Sequence, residues 1–185
     1  MVTSNRNKFL EAKDILAEFH INLIQADLER VEIQAEELEE VAKFSAKAAA
    51  CLLGGSLIVE DAGLFIQHLN GFPGPYSSYI LRKIGLEGIL KIMEGVSVRE
   101  AYYKSAVAFC KAAETSVMVF TGVVKGTISW DKRGEGGFGY DPIFIPSHGD
   151  GRTFAEMNPS EKGLLSHRGR ALREFGEWFT RTDES

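Results

Sequence analysis

Four short stretches of this sequence combine residue types that bind phosphate, hold a divalent ion, frame a planar ring, or donate to anions. The first is Thr3-Ser-Asn-Arg-Asn-Lys8. Backbone N–H groups at a helix start, hydroxyls of Thr3 and Ser4, and the Lys8 ammonium together make a phosphate cradle. The glycines and the Gly-Lys-Ser/Thr ending of a P-loop are missing. Alone the stretch is weak, because a capped helix start explains Ser4 and Asn5 without any ligand.

The second stretch is Glu60-Asp61, after the apolar run Ser56-Leu-Ile-Val59, with Glu32-Ile-Gln34 upstream. Carboxylates at the end of a strand suit Mg²⁺, a hard ion that takes one or two carboxylates, water and substrate phosphate. Neighbours on an extended strand point to opposite sides, so only one of Glu60 and Asp61 can face such a site. Two solvated turn residues would look the same in sequence. The third stretch, Gly136-Gly-Phe-Gly-Tyr-Asp141, surrounds Phe138 with glycines that let a flat ring approach, and Asp141 adds a hydrogen-bonding edge. A glycine-rich hairpin with core aromatics would read alike.

The fourth is Glu161-Lys-Gly-Leu-Leu-Ser-His-Arg168. Lys162, His167 and Arg168 offer point-charge and forked donors to a polyphosphate or a carbonyl edge. Arg170 and Arg173 read as solvated helix charges, and His20, His68 and His148 have no partners in sequence.

Elements that position these stretches follow from periodicity. Phe9, Ala12, Leu16 and Phe19 share one face of a helix over Lys8 to His20, and Ile21 to Gln25 reads as a short strand. Leu38, Val41, Ala42, Ser45, Ala49 and Leu52 make a helical stripe over Leu38 to Leu53, ended by Gly54-Gly55. Ser56 to Val59 is a buried strand, Asn70-Gly71 a turn, and Ile80 to Met93 a helix broken near Gly85 and closed by Gly95. Arg99 to Ser129 reads as antiparallel strands with breaks near Ala112 to Thr115 and at Lys125-Gly126. Pro142 to Pro146 is a short strand. Asn158, Pro159 and Glu161 form a capping-box start, and a last amphipathic helix carries Ala171, Leu172, Phe175, Trp178 and Phe179. No repeat or linker interrupts the chain, so residues 1 to 185 read as one α/β domain.

Composition bounds the functions available. With 185 residues, 44% of them hydrophobic, the chain can build a core without staples. Cys51 and Cys110 lack zinc-site spacing and read as reduced thiols. No apolar run reaches the ~18 residues of a membrane span, and no signal-peptide core is present, so the expectation is a cytoplasmic protein that meets no membrane. A net charge of -5 argues against coating nucleic acid. The charge is uneven: residues 27 to 61 hold nine acids and three bases, and residues 152 to 173 hold two acids and five bases. These are either a metal seat and a phosphate seat or two unrelated solvated faces.

In this order, the motifs resemble the inosine triphosphate and xanthosine triphosphate pyrophosphatase family, in its archaeal form above all. The resemblance runs through Thr3-Ser-Asn-x-x-Lys8, Glu32-Ile-Gln34, Val59-Glu-Asp-Ala-Gly-Leu64, Gly71-Phe-Pro-Gly-Pro-Tyr76, Gly137-Phe-Gly-Tyr-Asp-Pro142, Thr153-Phe-Ala-Glu-Met157, Glu161-Lys162 and Ser166-His-Arg168. Each is weak alone, and the ordered set is specific. It implies Mg²⁺-dependent hydrolysis of nonstandard purine nucleoside triphosphates (ITP, dITP, XTP) to monophosphate and pyrophosphate by a homodimer. The implied fold is a long, twisted, mixed sheet flanked by helices, with two lobes and a nucleotide cleft between them. Carried over by position, Thr3, Ser4, Asn5, Arg6, Asn7 and Lys8 hold phosphates, Glu32 and Asp61 hold metal, and Asp61 is the base that activates water. Ala62, Phe138, Gly139, Tyr140, Asp141, Lys162, His167 and Arg168 complete the nucleotide site, and Glu11 matches a family carboxylate on the first helix.

Two features depart from the family pattern. Ala62 stands where most members have Ser or Thr, and the sequence begins almost on the phosphate loop, so either the first strand is trimmed or the start is misassigned. Two other activities fit the same residues: a broad nucleotide phosphohydrolase, and a nucleotide sensor without catalysis.

Overall fold

Asn5 sets the first helix. Its side chain accepts hydrogen bonds from the backbone N–H groups of Asn7 and Lys8 at 3.0 and 3.1 Å, so helix α1 runs Arg6–Ala17 and starts two residues before the apolar stripe alone predicts. The computed structural model describes residues 1–28, 33–111 and 116–183. Along the chain follow α2 (Leu38–Leu53), β1 (Leu57–Ile66), β2 (Pro73–Gly74), α3 (Ser77–Ile92), β3 (Glu100–Cys110), β4 (Val117–Ile128), β5 (Phe144–Pro146), α4 (Pro159–Leu165) and α5 (His167–Asp183). The strands form one sheet in the order β2-β1-β3-β4-β5. The β1/β2 and β4/β5 pairs are antiparallel, and Val2 adds parallel bridges to Ala26 and Val59.

Two compact units share these elements. Met1–Asp61, Ser105–Gly122 and His167–Ser185 make the first, and Ala62–Lys104 with Val123–Ser166 make the second. Neither is a continuous stretch, because β1, β3 and β4 each contribute to both. The core of the first unit joins Ala12, Ile15 and Leu16 of α1, Ile58 of β1, Val107 and Phe109 of β3, Phe120 of β4, and Ala171, Leu172 and Phe175 of α5. Phe109 meets Phe175 at 5.5 Å between ring centroids, and Phe120 meets Trp178 at 5.3 Å. In the second unit, Leu64 and Ile66 of β1 pack with Ile89, Met93, Tyr103, Phe144 and Phe154. Tyr103 and Phe144 make an edge-on pair at 4.7 Å.

Several expected elements take a different form. Ile21 to Gln25 forms no strand of the sheet; Ala26, the next residue, joins through its bridge to Val2. The strand predicted over Ser56 to Val59 continues through Glu60 and Asp61 to Ile66, because Glu60 finds partners inside the protein. Leu52, assigned to the buried stripe of α2, is 70% exposed, whereas Leu38, Val41, Ala42, Ser45 and Ala49 are buried. Lys125-Gly126 is no break: β4 runs through it, and Gly126 lets β5 come so close that a β-carbon would lie 2.3 Å from the Ile145 carbonyl oxygen. The break expected near Ala112 to Thr115 lies outside the described residues. Gly85 does interrupt α3, with φ 67° and ψ -172°. The Pro142 to Pro146 segment opens as a 3-10 turn, Asp141–Ile143, before β5.

The Asn158 capping box forms as its spacing predicts, and a second one, Thr153 with Glu156, precedes it. Among the described residues no helix is long and apolar enough to cross a membrane. Cys51 and Cys110 are free thiols.

Candidate functional site

In the first unit, the backbone bridges of Val2 deliver Thr3 to the start of α1. Thr3 is buried; its N–H donates to the Ala26 carbonyl at 3.1 Å, its hydroxyl oxygen accepts from the Asn5 N–H at 3.1 Å, and its carbonyl accepts from Gln25 Nε2 at 3.0 Å. The turn is therefore fixed by its own hydrogen bonds, and Ser4, Asn5, Arg6 and Asn7 stand exposed on it. A rigid turn feeding a helix N-terminus concentrates positive potential where an anion can reach it.

Lys8 leaves that turn inward. Its Nζ lies 2.9 Å from Oε2 of Glu60, a residue with no solvent exposure at all. Glu60 Oε1 accepts from Ser105 Oγ at 2.7 Å and from Arg168 Nε at 3.1 Å. The guanidinium's Nη1 donates to Glu11 Oε2 at 2.6 Å. Residues of α1, β1, β3 and α5 thus meet in one charged cluster. Burial by itself would raise the Glu60 carboxyl, but the charges of Arg168 and Lys8, with hydrogen bonds from Lys8 and Ser105, outweigh it and hold the group well below the usual carboxylate range.

Strand alternation sends Asp61 to the other side of β1, where it is half-buried, and returns Ala62, also half-buried, to the side of Glu60. Glu60 is thus committed to cations and Asp61 is the carboxylate in reach of solvent. His167 opens α5 beside Arg168, and both are buried. Glu32, the other expected metal ligand, lies outside the described residues. Among the described residues, no three His, Cys, Asp or Glu side chains converge on a possible ion position. The donor chemistry nevertheless suits Mg²⁺, which keeps several waters and takes few protein carboxylates.

The second unit holds the ring-framing stretch. Asp141 Oδ2 accepts from the Phe138 N–H at 2.8 Å and from Lys162 Nζ at 2.7 Å, and the Lys162 ammonium lies 4.4 Å from the Phe138 ring centroid. Asp141 and Lys162 are both buried. Gly137, at φ 70°, permits this: a β-carbon there would sit 2.3 Å from Asp141 Oδ2. Gly139, also at φ 70°, has open space where a side chain would begin. The Tyr140 hydroxyl donates to the Ser77 carbonyl at 2.8 Å, and burial raises its phenol well above the ordinary value. Phe138 to Asp141 and Lys162 therefore form one preorganised assembly, with Asp141 ordering the loop from within. A cavity of about 410 Å³ in this unit is lined by other residues, among them Arg99, Trp130 and Arg133. Arg99 is spent there on the carbonyls of Ile128, Met93 and Ser129.

Thr3, Lys8, Asp61, His167 and Arg168 are thus assembled in one unit, and Phe138, Gly139, Tyr140, Asp141 and Lys162 in the other. Sequence reasoning missed the roles of Glu60 and Ser105. A glutamate within Leu-Ile-Val-Glu was the available signal, since a carboxylate in an apolar strand must be paired; Ser105 carried none.

Residues 1–178 match the model of the Ham1 family. A dITP/XTP pyrophosphatase of Methanopyrus kandleri is 50% identical over 177 residues, covering 96% of this chain and 93% of that protein. Another, of Pyrococcus horikoshii, is 50% identical over 96% of this chain and 94% of its own length. The structure of a HAM1 protein from Coxiella burnetii superposes with a TM-score of 0.82 at 31% identity, covering 97% of this chain and 96% of that one.

Proposed function

We propose, since this chain belongs to the Ham1 family, that it hydrolyses dITP, ITP and XTP to the nucleoside monophosphate and pyrophosphate. The reading is supported by one observation above others: at adjacent strand positions, Glu60 is fully buried against Lys8 and Arg168, and Asp61, on the opposite face, is half-buried. In this reading one carboxylate orders cations and the next handles water.

In this mechanism the α1 turn and Lys8 neutralise phosphate charge, which lets water approach phosphorus. Asp61 takes a proton from that water as its oxygen bonds to the α-phosphorus. The bond from that phosphorus to the bridging oxygen breaks, and pyrophosphate leaves with the electron pair. Asp61 and Glu32 would hold Mg²⁺, which supplies further charge neutralisation when bound. Phe138 gives the base a flat surface, while Gly139, Tyr140 and Asp141 shape its surroundings and Lys162, His167 and Arg168 supply donors. Donors aimed at a 6-oxo group accept hypoxanthine and xanthine and meet a donor in adenine, a mismatch that costs several kcal/mol when buried.

The net charge of -5 suits a free nucleotide over nucleic acid, and the chain acts as a cytoplasmic homodimer. Incubation with dITP or XTP and Mg²⁺ should release pyrophosphate and the monophosphate, with ATP nearly untouched. Orthophosphate and a nucleoside diphosphate as products would overturn the reaction, and equal rates on ATP would overturn the selectivity.

A further inference from the structure

We infer that Glu60 is a positioning residue for the triphosphate site: its buried carboxylate, aligned by Ser105, presets the Lys8 ammonium and the Arg168 guanidinium. The inference rests on the reading of Lys8 and Arg168 as nucleotide-binding groups.

Glu60 has no exposure, so a bound nucleotide can feel it only through other side chains. Its two oxygens face different cations. Oε2 meets Lys8 at 2.9 Å, and Oε1 meets Arg168 Nε at 3.1 Å. Ser105, from β3, donates to Oε1 at 2.7 Å and fixes the rotation of the carboxylate plane. Glu11 holds the other branch of the guanidinium at 2.6 Å, so two carboxylates fix the orientation of Arg168's fork.

Stability alone is a poor reason for this arrangement. Burying an ion cluster in an apolar strand carries a desolvation cost that well-packed hydrophobic residues avoid. Positioning is a better one. A lysine head on four methylenes loses much rotamer freedom when it is ordered. Ordering it in the folded protein removes that cost from the reaction step and keeps its charge near the reacting phosphates.

The test uses the full-length protein with dITP and Mg²⁺. Glu60→Gln keeps the side chain's shape and removes its charge; kcat should fall at least tenfold while KM stays within threefold. In a Lys8→Gln background, measured with enzyme in excess, adding Glu60→Gln should cost less than a further threefold, because most of its effect travels through Lys8 and only the share carried by Arg168, which Glu11 also holds, is left. Ser105→Ala should lower kcat about three- to tenfold, and Ser105→Thr, which keeps the hydroxyl, should stay within threefold of wild type. Losses that multiply fully across the Lys8 backgrounds would overturn the inference, as would wild-type kcat in Glu60→Gln. Should Glu60→Gln fail to fold, the Ser105 pair decides: wild-type kcat in Ser105→Ala overturns it.

If the wild-type protein released no pyrophosphate from dITP or XTP, the functional reading would fail separately. A crystal structure of Ser105→Ala would then judge the placement. Movement of the Lys8 and Arg168 head groups by 1 Å or more supports the inference, and unchanged positions overturn it.

Discussion

The α-carbon of Gly122 lies so close to His167 that a β-carbon would stand 2.0 Å from the His167 carbonyl oxygen, and 2.7 Å from the Ala171 backbone nitrogen. Both obstacles are main-chain atoms in the first turn of α5, and neither can swing aside. The glycine in β4 therefore sets how closely the helix bearing His167 and Arg168 packs against the strand.

Gly122→Ala should accordingly displace the start of α5. Overpacking of this kind costs about 1–3 kcal/mol, and in a chain of this size each kcal/mol lowers Tm by about 2–4 °C. Calorimetry should show that loss, and dITP turnover should fall further than the stability change alone explains, because Arg168 moves with the helix. Unchanged Tm and turnover would mean that α5 is not held at this point.

Asp141 and Lys162 make the second relationship with consequences. Removing only the carboxylate, by Asp141→Ala, leaves a buried ammonium without this partner and frees the Phe138 N–H, and breaking a buried pair costs about 3–5 kcal/mol. Replacing both, by Asp141→Asn with Lys162→Met, removes the charges together and should destabilise less. Urea unfolding of the two variants measures the difference. Both should lose dITP affinity, because the loop around Phe138 loses its anchor; a stable Asp141→Ala variant with normal KM would dismiss the anchoring role.

The segment with the two capping boxes has a defined acid response. The Thr153 N–H donates to Glu156 at 2.7 Å and the Asn158 N–H to Glu161 at 2.8 Å. Arg152 first and the Asn158 N–H second hold the Glu161 carboxyl below the ordinary 4.5, and the Thr153 N–H does the same for Glu156. A carboxyl lowered in the folded state contributes stability that is fully present above its unfolded value and is lost as pH falls through the folded one. The caps should thus be intact above pH 4.5 and loosen below it. Carboxyl-carbon NMR titration should place both midpoints under 4.5, and Arg152→Ala should raise the Glu161 midpoint more than the Glu156 one. Equal shifts would mean that Arg152 does not discriminate between them.

What could be read from the residues divides by distance along the chain. The Asn158 cap and its glutamate three residues on are a local device, as is the break at Gly85, and both take their expected form; the helical stripe from Leu38 to Leu52 does so as far as Ala49. Lys125-Gly126 misled because glycine marks both turns and close strand approaches, and only the neighbouring strand decides which. Glu60 shows the deeper limit. The motif named Lys8, Asp61 and Arg168, but the carboxylate joining two of them bonds to a guanidinium 108 residues away, and no periodicity carries that pairing. Ser105 lies in an ordinary strand sequence and gains its meaning only from the oxygen that it meets.

Asp61 bears the most direct chemical consequence. Asp61→Asn preserves size and some hydrogen bonding but cannot accept a proton from water at neutral pH. A positioned general base contributes about 10²–10⁴ in rate, so kcat on dITP should fall by at least two orders of magnitude. Binding should survive, because Lys8, the α1 turn and the Phe138 loop are untouched; calorimetry with dITP should show a Kd within about fivefold of that of wild type trapped without Mg²⁺. Alternation along β1 supplies the internal comparison. Glu60→Gln acts through Lys8 and Arg168, so exogenous small bases such as imidazole should leave it unimproved, whereas a base able to reach the water in Asp61→Asn should restore measurable turnover. Rescue of Glu60→Gln in place of Asp61→Asn would exchange the assignments of the two carboxylates.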